Sequence, residues 1–283
     1  MKRVLLAGIA LLIATPTLSA DPPKDPLAGV RTISGLLPVH VDDAGGRILV
    51  TLPPPGAGGL IGRYLYVTSL RTGVGSSQIG FDHGQNGETH ILAFRRVGAK
   101  LVAEYENPRF RAEGGTAAEQ AAARDSFLVT TTWAGDIAKT LPDGSVVVDL
   151  SKFLTRDAMG IAPALKAAEA GDFRLNAEAS MADPAATRVF PDNIELEARQ
   201  TFTSDAPGRL VQAIAPDGRA ITLVVHHSLI RLPAPGYRPL PFDPRFGGFA
   251  QQVVDFGAPL GQDVVSSLAM RFRLEKTDPA AAR

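Results

Sequence analysis

The sequence predicts a mainly β protein, a β-rich α+β fold whose antiparallel strands form sandwich-like or curved sheets with a few short helices. Three observations support this fold class. The 283 residues include 28 Gly and 22 Pro, scattered between short apolar runs, a composition typical of many turns. Apolar residues partly alternate with other residues at 48–52 and 91–94, as on half-buried strands. Only a few segments have the composition of a helix.

Short β-like runs follow one another through the first hundred residues, at 36–41, 47–52, 64–70, 89–97 and 100–106. Residues 42–46 and 97–100 contain the glycines that hairpin connections need, because Gly adopts positive φ at low cost. This part of the chain is therefore predicted to form a meander.

Helical segments are predicted at three places. Residues 116–124 are rich in Ala, and Thr116 is a suitable N-cap residue. Residues 151–154 open a second, short segment, and 163–170 form a third with Pro in the first turn and Gly171 beyond the end. The later strands are predicted at 126–132, 146–149, 173–179, 194–202, 220–232, 251–256 and 264–274.

A Pro- and Gly-rich stretch at 233–248 interrupts the later strands. It carries Tyr237, Phe242 and Phe246. Loops that aromatic side chains hold in place usually pack over a sheet edge, so we expect this one to do the same.

The N-terminus has the pattern of a secretory signal peptide. Lys2 and Arg3 precede an apolar stretch that ends at Ala14, and small residues lead to a cleavage site after Ala20. The apolar stretch is too short to span a bilayer, which needs about 20 residues. The protein is therefore predicted to be periplasmic or secreted.

The domain organisation follows from these segments. Residues 1–20 are the signal peptide, 21–35 a Pro-rich lead, and 36–276 a β-rich domain. Residues 277–283 begin a linker. A division of the β-rich domain into two subdomains, near 114–120 or at 171, stays open.

Composition excludes several classes of function. Lys plus Arg (29) balance Asp plus Glu (29), so no net charge attracts nucleic acid. There is no Cys, which excludes disulfides, thiolate nucleophiles and zinc–thiolate sites. No later apolar run reaches 18 residues, so no membrane span is expected in the mature chain.

The candidate functional residues are few. His226 and His227 fall within a predicted strand, where neighbours point to opposite faces, so the two cannot easily bind one metal ion. No metal site is predicted in the chain, since the five histidines lack a metal-binding spacing. Other candidates for binding are polar or aromatic residues in exposed loops and around the first helix: Asp82, His83, Arg124, Asp125 and Tyr237.

No catalytic motif is apparent. Residues 73–77 have glycines in the wrong places for a nucleophile elbow, and no G-K-[ST] follows for a phosphate loop. Glu104 and Glu106 share one face of a strand and are an example of a carboxylate pair that a hydrolase would need.

Several motifs resemble the N-terminal, non-catalytic region of large exported bacterial zinc-dependent metalloproteases, a domain of unknown function. The motifs cover residues 64–76, 79–85, 94–98, 106–112, 124–127, 149–160, 188–193, 226–228, 232–239, 242–245 and 273–279. The resemblance thus extends over nearly the whole mature chain. One departure is His83, because the family pattern leads us to expect Arg in the Asp-x-Gly-Gln loop.

The resemblance implies that this chain is an accessory module of a metzincin-like H-E-x-x-H protease. In that family the zinc site lies downstream, so zinc is expected only in a catalytic domain that this chain lacks, and no cofactor is expected here. The implied partner is that protease domain, in cis in the parent family or in trans here, together with a peptide substrate. Two alternatives stay open: a stand-alone periplasmic module that binds peptide or glycan, and a hydrolase in its own right.

Overall fold

The computed structural model describes residues 25–234 and 236–271, together with residue 280. These residues are mainly β, with four short α-helices among them: α1 (Ala117–Ser126), α2 (Ser151–Leu154), α3 (Ile161–Ala167) and α4 (Arg209–Ile214). The strands are β1 (Arg31–Ile33), β2 (Val39–Asp42), β3 (Arg47–Leu52), β4 (Leu60–Leu70), β5 (Asn86–Val97), β6 (Lys100–Tyr105), β7 (Phe110–Arg111), β8 (Thr130–Thr140), β9 (Val146–Asp149), β10 (Arg174–Val189), β11 (Asn193–Thr203), β12 (Ala220–Arg231), β13 (Ala250–Asp255) and β14 (Val265–Ala269).

One antiparallel sheet of eleven strands dominates the described part of the chain, in the order β1-β2-β3-β9-β8-β6-β5-β4-β12-β11-β10. The sheet curls until its two ends nearly meet. Leu36 N, just after β1, donates a hydrogen bond of 2.7 Å to Phe190 O, just after β10. Strand β10 also packs beside β2 and β3. The sheet is therefore nearly closed, and one of its faces becomes an interior.

The register decides which side chains enter this interior, because residues directly opposite in antiparallel strands share a face. Tyr66 of β4 lies opposite Leu229 of β12 and His90 of β5. Tyr66 and Leu229 are buried, as are Leu92 and Phe94 on the same face of β5. Apolar side chains thus fill most of the interior, and a few polar side chains lie among them.

Helix α2 supplies the centre of this core. It follows β9 and carries Phe153 and Leu154, both fully buried. The ring of Phe153 lies 5.7 Å from the rings of Tyr66 and Trp133 and 6.1 Å from that of Phe94. These tilted and edge-on aromatic contacts connect strands β4, β5 and β8 through one side chain.

A second hydrophobic cluster lies under α3 and α4. Ile161 and Leu165 of α3 and Val211 of α4 pack with residues from the ends of β4, β11 and β12, among them Leu70 and Phe202. The second cluster joins these two helices to the large sheet.

A three-stranded sheet, β14-β13-β7, forms beside the large one. Helix α1 connects β7 to β8, and its capping box joins Thr116 and Glu119 as the sequence predicts for an N-cap. Phe127, after α1, stacks on Phe110 of β7 at 4.1 Å and on Phe256 after β13 at 5.4 Å. The aromatic stack fixes α1 against the small sheet.

The predicted fold class is confirmed: the described residues are mainly β, with curved antiparallel sheet and few helices. Some boundaries were wrong. Residue 126 still belongs to α1, and β8 begins only at Thr130 and continues to Thr140. β10 is much longer than the predicted 173–179. Strand β1, within the predicted Pro-rich lead, and helix α4 were not predicted.

The signal peptide at residues 1–20 and most of the linker at 277–283 lie outside the described residues. Within the described part, no helix has the length and apolar character needed to cross a membrane.

Candidate functional site

Strand β12 carries His226 and His227 on opposite faces, as the alternation of a strand predicts. His227 lies opposite Leu196 of β11 and Thr68 of β4, and it is fully buried inside the large sheet. His226 faces outward and is partly exposed. The two histidines therefore belong to two separate polar clusters.

The outer cluster surrounds His226. Its Nε2 lies 2.6 Å from Glu195 Oε2, and its Nδ1 lies 3.5 Å from Glu197 Oε1. Ser228 Oγ donates a hydrogen bond to the same Oε2 of Glu195. Arg71, at the end of β4, binds Glu197 at 2.7 Å. One imidazole thus lies between two carboxylates of neighbouring strand β11.

These contacts shift both partners toward their charged forms. The hydrogen bond to Glu195 raises the pKa of His226 against the opposing effect of burial, and the charges of Glu195 and Glu197 add to the rise. Burial alone would raise the pKa of Glu195, but hydrogen bonds from His226, Ser228 and Asn193 hold it below its usual value. Both shifts favour the charged forms, so the outer cluster is an ion pair at mildly acidic pH, between the usual pKa values of the two groups.

The geometry of the outer cluster does not match a serine hydrolase. In such a site the hydroxyl bonds to the imidazole, and the acid bonds to the other ring nitrogen. Here Ser228 and His226 both bond to Glu195. Among the described residues, no group of three or more His, Asp or Glu side chains could hold a metal ion. The cluster supports pairing of β11 with β12 rather than nucleophilic chemistry.

The inner cluster surrounds His227. The hydroxyl of Tyr66 forms a hydrogen bond of 2.7 Å with its Nδ1. Arg156, just after α2, donates from one terminal nitrogen to the hydroxyls of Tyr66 and Tyr105, each at 3.0 Å. Gln200 Nε2 donates to the carbonyls of Leu154 and Arg156. These bonds link β4, β6, β11 and β12 to the segment after α2.

The inner cluster keeps His227 neutral. Burial lowers its pKa well below the usual value, and the charge of Arg156 lowers it further. Burial likewise raises the pKa of Tyr66. With Arg156 donating to its oxygen, Tyr66 is free to donate its own proton to Nδ1 of His227. Nε2 of His227 and Oε1 of Gln200 are buried without a hydrogen bond of normal geometry, although the Leu154 carbonyl lies near the imidazole.

A family comparison covers most residues of both clusters. The model of DUF5117, described as a domain of unknown function, matches residues 84–277, more than half of the chain. The chain belongs to the DUF5117 family. No curated protein and no solved structure matches it. The family description assigns no activity, so the association with metalloproteases stays a proposal.

The DUF5117 match begins inside the structured region, in the loop between β4 and β5. The strands before residue 84 pair into the same sheet as those after it. Tyr66 and Arg71 therefore lie outside the match, while Arg156, Glu195, Gln200, His226 and His227 lie within it.

The other predicted site residues lie apart from both clusters. Asp82 and His83 are exposed in a tight turn where Gln85 Oε1 accepts from Asp82 N. Arg124 and Asp125 are exposed on α1. Tyr237 accepts a hydrogen bond from Arg271, whose guanidinium also lies 5.4 Å from the ring.

The two alternative functions from the sequence, a hydrolase and a stand-alone binding module, depend on other side chains. Glu104 binds Arg95 at 3.0 Å, and Glu106 binds Arg63, so each of these carboxylates already has a cationic partner. The side chain of Phe246, part of the aromatic loop, lies outside the described residues.

Sequence reasoning missed most of the cluster residues of this DUF5117 chain. Glu195 and Glu197 alternate with apolar residues on a predicted strand, which signals an outward face that includes His226. Tyr66 lacks such a signal, because Leu65 and Val67 flank it within β4 and the sequence does not separate the two faces there. Arg156 has no local signal beyond its position in the family motif at 149–160, because its partners come from distant strands.

Most of the exposed large apolar side chains in the described residues belong to the small sheet and its surroundings. They are Leu128, Val129, Tyr237, Leu240, Phe249, Phe256, Leu260, Val264, Val265 and Met270. Phe249 is 79% exposed and Leu260 is fully exposed. We call this set the small-sheet apolar surface. Exposed apolar patches on a protein surface often mark interaction sites.

Proposed function

We propose that this DUF5117 chain is a non-catalytic accessory module that docks on the zinc-dependent protease domain of an exported metalloprotease. The observation that carries the proposal is the small-sheet apolar surface. It includes β14, the last strand of the described residues. In the resembled family the protease domain follows this region in the chain. A docked protease domain would therefore lie next to this surface. Burying its side chains would contribute roughly 25 cal/mol per Å² of apolar area.

The partner in this proposal follows from the resemblance. In the resembled family the zinc belongs to a separate H-E-x-x-H domain. That domain is the partner, in cis or in trans, and a peptide is the substrate that the pair would share. The balanced formal charge offers no attraction to nucleic acid.

The cellular location belongs to the same proposal. The basic start, short apolar stretch and small residues before position 20 support export, with cleavage after Ala20. The mature module would then meet its protease in the periplasm or outside the cell.

Direct binding tests this function. The purified chain is titrated by calorimetry with the H-E-x-x-H protease domain encoded with it in the source genome. We expect association at micromolar concentration. The double variant Phe249→Asp, Leu260→Asp should weaken it at least about tenfold, because two exposed apolar contacts are replaced by charges. The matched control Met181→Asp changes an exposed apolar residue of β10, away from the small sheet, and should bind as the parent does.

Two results would overturn the proposal. The first is a genome without such a domain, or no association with it at about 100 μM. The second is association that the double variant leaves unchanged. If the chain instead bound free peptide or glycan without the protease domain, the stand-alone binding module would replace the accessory role.

A further inference from the structure

Arg156 is a partly buried arginine that has no carboxylate partner among the described residues, unlike several other arginines of the large sheet. Arg63, Arg95 and Arg231 each bind a carboxylate. The guanidinium of Arg156 instead donates to two tyrosine hydroxyls and to the Phe153 carbonyl, and it lies 3.7 Å from the ring centre of Phe153. Across residues 25–234 and 236–271, no ion pair of 4.0 Å or less includes it.

The neighbouring acid cannot serve as the missing partner. Asp157 uses both carboxylate oxygens to accept from backbone nitrogens at the start of α3, Ile161 N at 2.7 Å and Ala162 N at 2.9 Å. Gln200 holds the carbonyl of Arg156 itself. The backbone on both sides of Arg156 is thus fixed, and its side chain is directed into the sheet interior.

A partly buried cation without a counter-ion is costly, because neutral hydrogen-bond acceptors only partly replace the water it loses. His227 is neutral. The acid near this group is Glu88, an exposed side chain whose Oε2 lies 3.7 Å from Nε2 of His90. Burial and the charge of Arg156 nevertheless lower the pKa of His90 against the effect of Glu88. The interior around Arg156 is therefore electropositive and suited to an anion.

The hydroxyl of Tyr105 adds a second donor. It accepts from Arg156, and no acceptor for its own proton occurs among the described residues. The ring of His90 stacks on Tyr105 with centroids 3.8 Å apart, and the His90 side chain is 26% exposed. Arg156 and Tyr105 are also only partly buried, so the group can be reached from solvent.

We propose that Arg156, with the hydroxyl of Tyr105 and the ring of His90, binds a carboxylate group that enters beside His90. Nη2 of Arg156 already donates to both tyrosine hydroxyls. The carboxylate would therefore accept from the Tyr105 hydroxyl and be held beside the guanidinium by its charge. The carboxylate can come from a small organic acid or from the C-terminus of a peptide. The site is independent of docking on a protease domain, since the small-sheet apolar surface shares none of its residues.

Calorimetry of the mature chain with succinate, tetra-alanine and tetra-alanine amide tests the site. We expect succinate or tetra-alanine to bind with a dissociation constant of about 1 mM or lower. Arg156→Lys should weaken binding about tenfold, because an ammonium cannot hold the hydroxyls of Tyr66 and Tyr105 in the same planar arrangement. The matched control Arg96→Met should bind as the parent does. Arg96 is another arginine without a carboxylate partner in the described residues, and it donates to the Gly98 carbonyl on the surface.

A second readout needs no variant. The pKa of His90, followed by NMR, should rise when the carboxylate binds, because a nearby negative charge favours imidazolium. Tighter binding of tetra-alanine than of succinate, lost on amidation, would identify a peptide C-terminus as the source, and equal binding would identify small acids. No binding of either at about 20 mM, or binding that Arg156→Lys leaves unchanged, would overturn the proposal.

Discussion

Two adjacent histidines show how strongly a single position in a strand controls chemistry. His226 and His227 differ only in the face to which β12 turns them. One lies between Glu195 and Glu197, so its pKa rises through the bond to Glu195. The other lies beside Tyr66 and Arg156, so burial and a positive charge lower its pKa. The sequence predicts the division between faces, but the partners on each face come from β4 and β11.

The ion pair of His226 should make stability depend on pH. A raised folded pKa means that the His226 contribution is fully present below the usual 6.5 and is lost as pH rises through the folded value. The lowered pKa of Glu195 means that its contribution is present above 4.5 and is lost on acidification. Together they stabilise the fold most between these values. His226→Gln should therefore cost about 1 kcal/mol near pH 5.5 and much less at pH 9.

Urea denaturation of the parent and the variant at both pH values measures this difference. The groups that face His226 are Glu195, Glu197 and Ser228, and Arg71 reaches it through Glu197. His83→Gln, in an exposed turn, is the matched control and should have no effect at either pH. A loss from His226→Gln of equal size at pH 5.5 and 9 would contradict the ion pair.

At the scale of elements, local signals predicted what local contacts determine. The hairpin at 97–100 needs one residue in the left-handed region, and Gly98 has φ of 60°. The predicted N-cap of α1 accepts from Glu119 N. Both features depend on residues within about four positions of each other, so the local sequence is enough to predict them.

Strand β10 shows where local signals fail. Its register shifts twice, between Asn176 and Met181 and between Asp183 and Arg188. At each shift a side chain, Asn176 or Asp183, accepts from backbone nitrogens two and three residues ahead. Such bulges break the alternation by which a strand is recognised, so the predicted strand ended at 179. Arg156 was missed for a related reason, since Tyr66 and Tyr105 are 90 and 51 residues away.

Helix α1 should depend on its N-cap because it is largely exposed, with Ala123 as its buried residue. Thr116→Ala removes the hydroxyl that accepts from Glu119 N. The loss of a Thr cap costs about 1 kcal/mol, so amide exchange in α1 should accelerate about fivefold. Ser126→Ala, which removes a hydroxyl at the other end of the helix, is the control. Equal exchange rates in Thr116→Ala and in the parent would show that the small sheet, rather than the cap, holds α1.

At the scale of the whole molecule, the nearly closed sheet explains how polar clusters of such different character coexist. Closure leaves β1 and β10 as the two edges of the large sheet and brings them together. Edges that meet are shielded from pairing with other chains. The interior can then hold the neutral His227 and the cation of Arg156, while the ion pair of His226 and Glu195 lies on the outer face of the same sheet. The order of the strands along the chain does not predict this closure, because most of the strands lie between β1 and β10 in the sequence.

The seam between these edges should be sensitive to added volume. A Cβ on Gly35 would lie 2.5 Å from Phe190 O and 2.6 Å from Val189 Cγ1. Gly35→Ala therefore forces the seam apart, and we expect a loss of about 1 to 3 kcal/mol in urea denaturation. Faster exchange of the Leu36 amide, which donates to Phe190 O, should accompany the loss. Gly56→Ala is the control, since its nearest contact would be an ordinary 3.5 Å from Leu60 O. If both variants were equally stable, the two edges would not be in close contact, and the interior would be open along the side of β10.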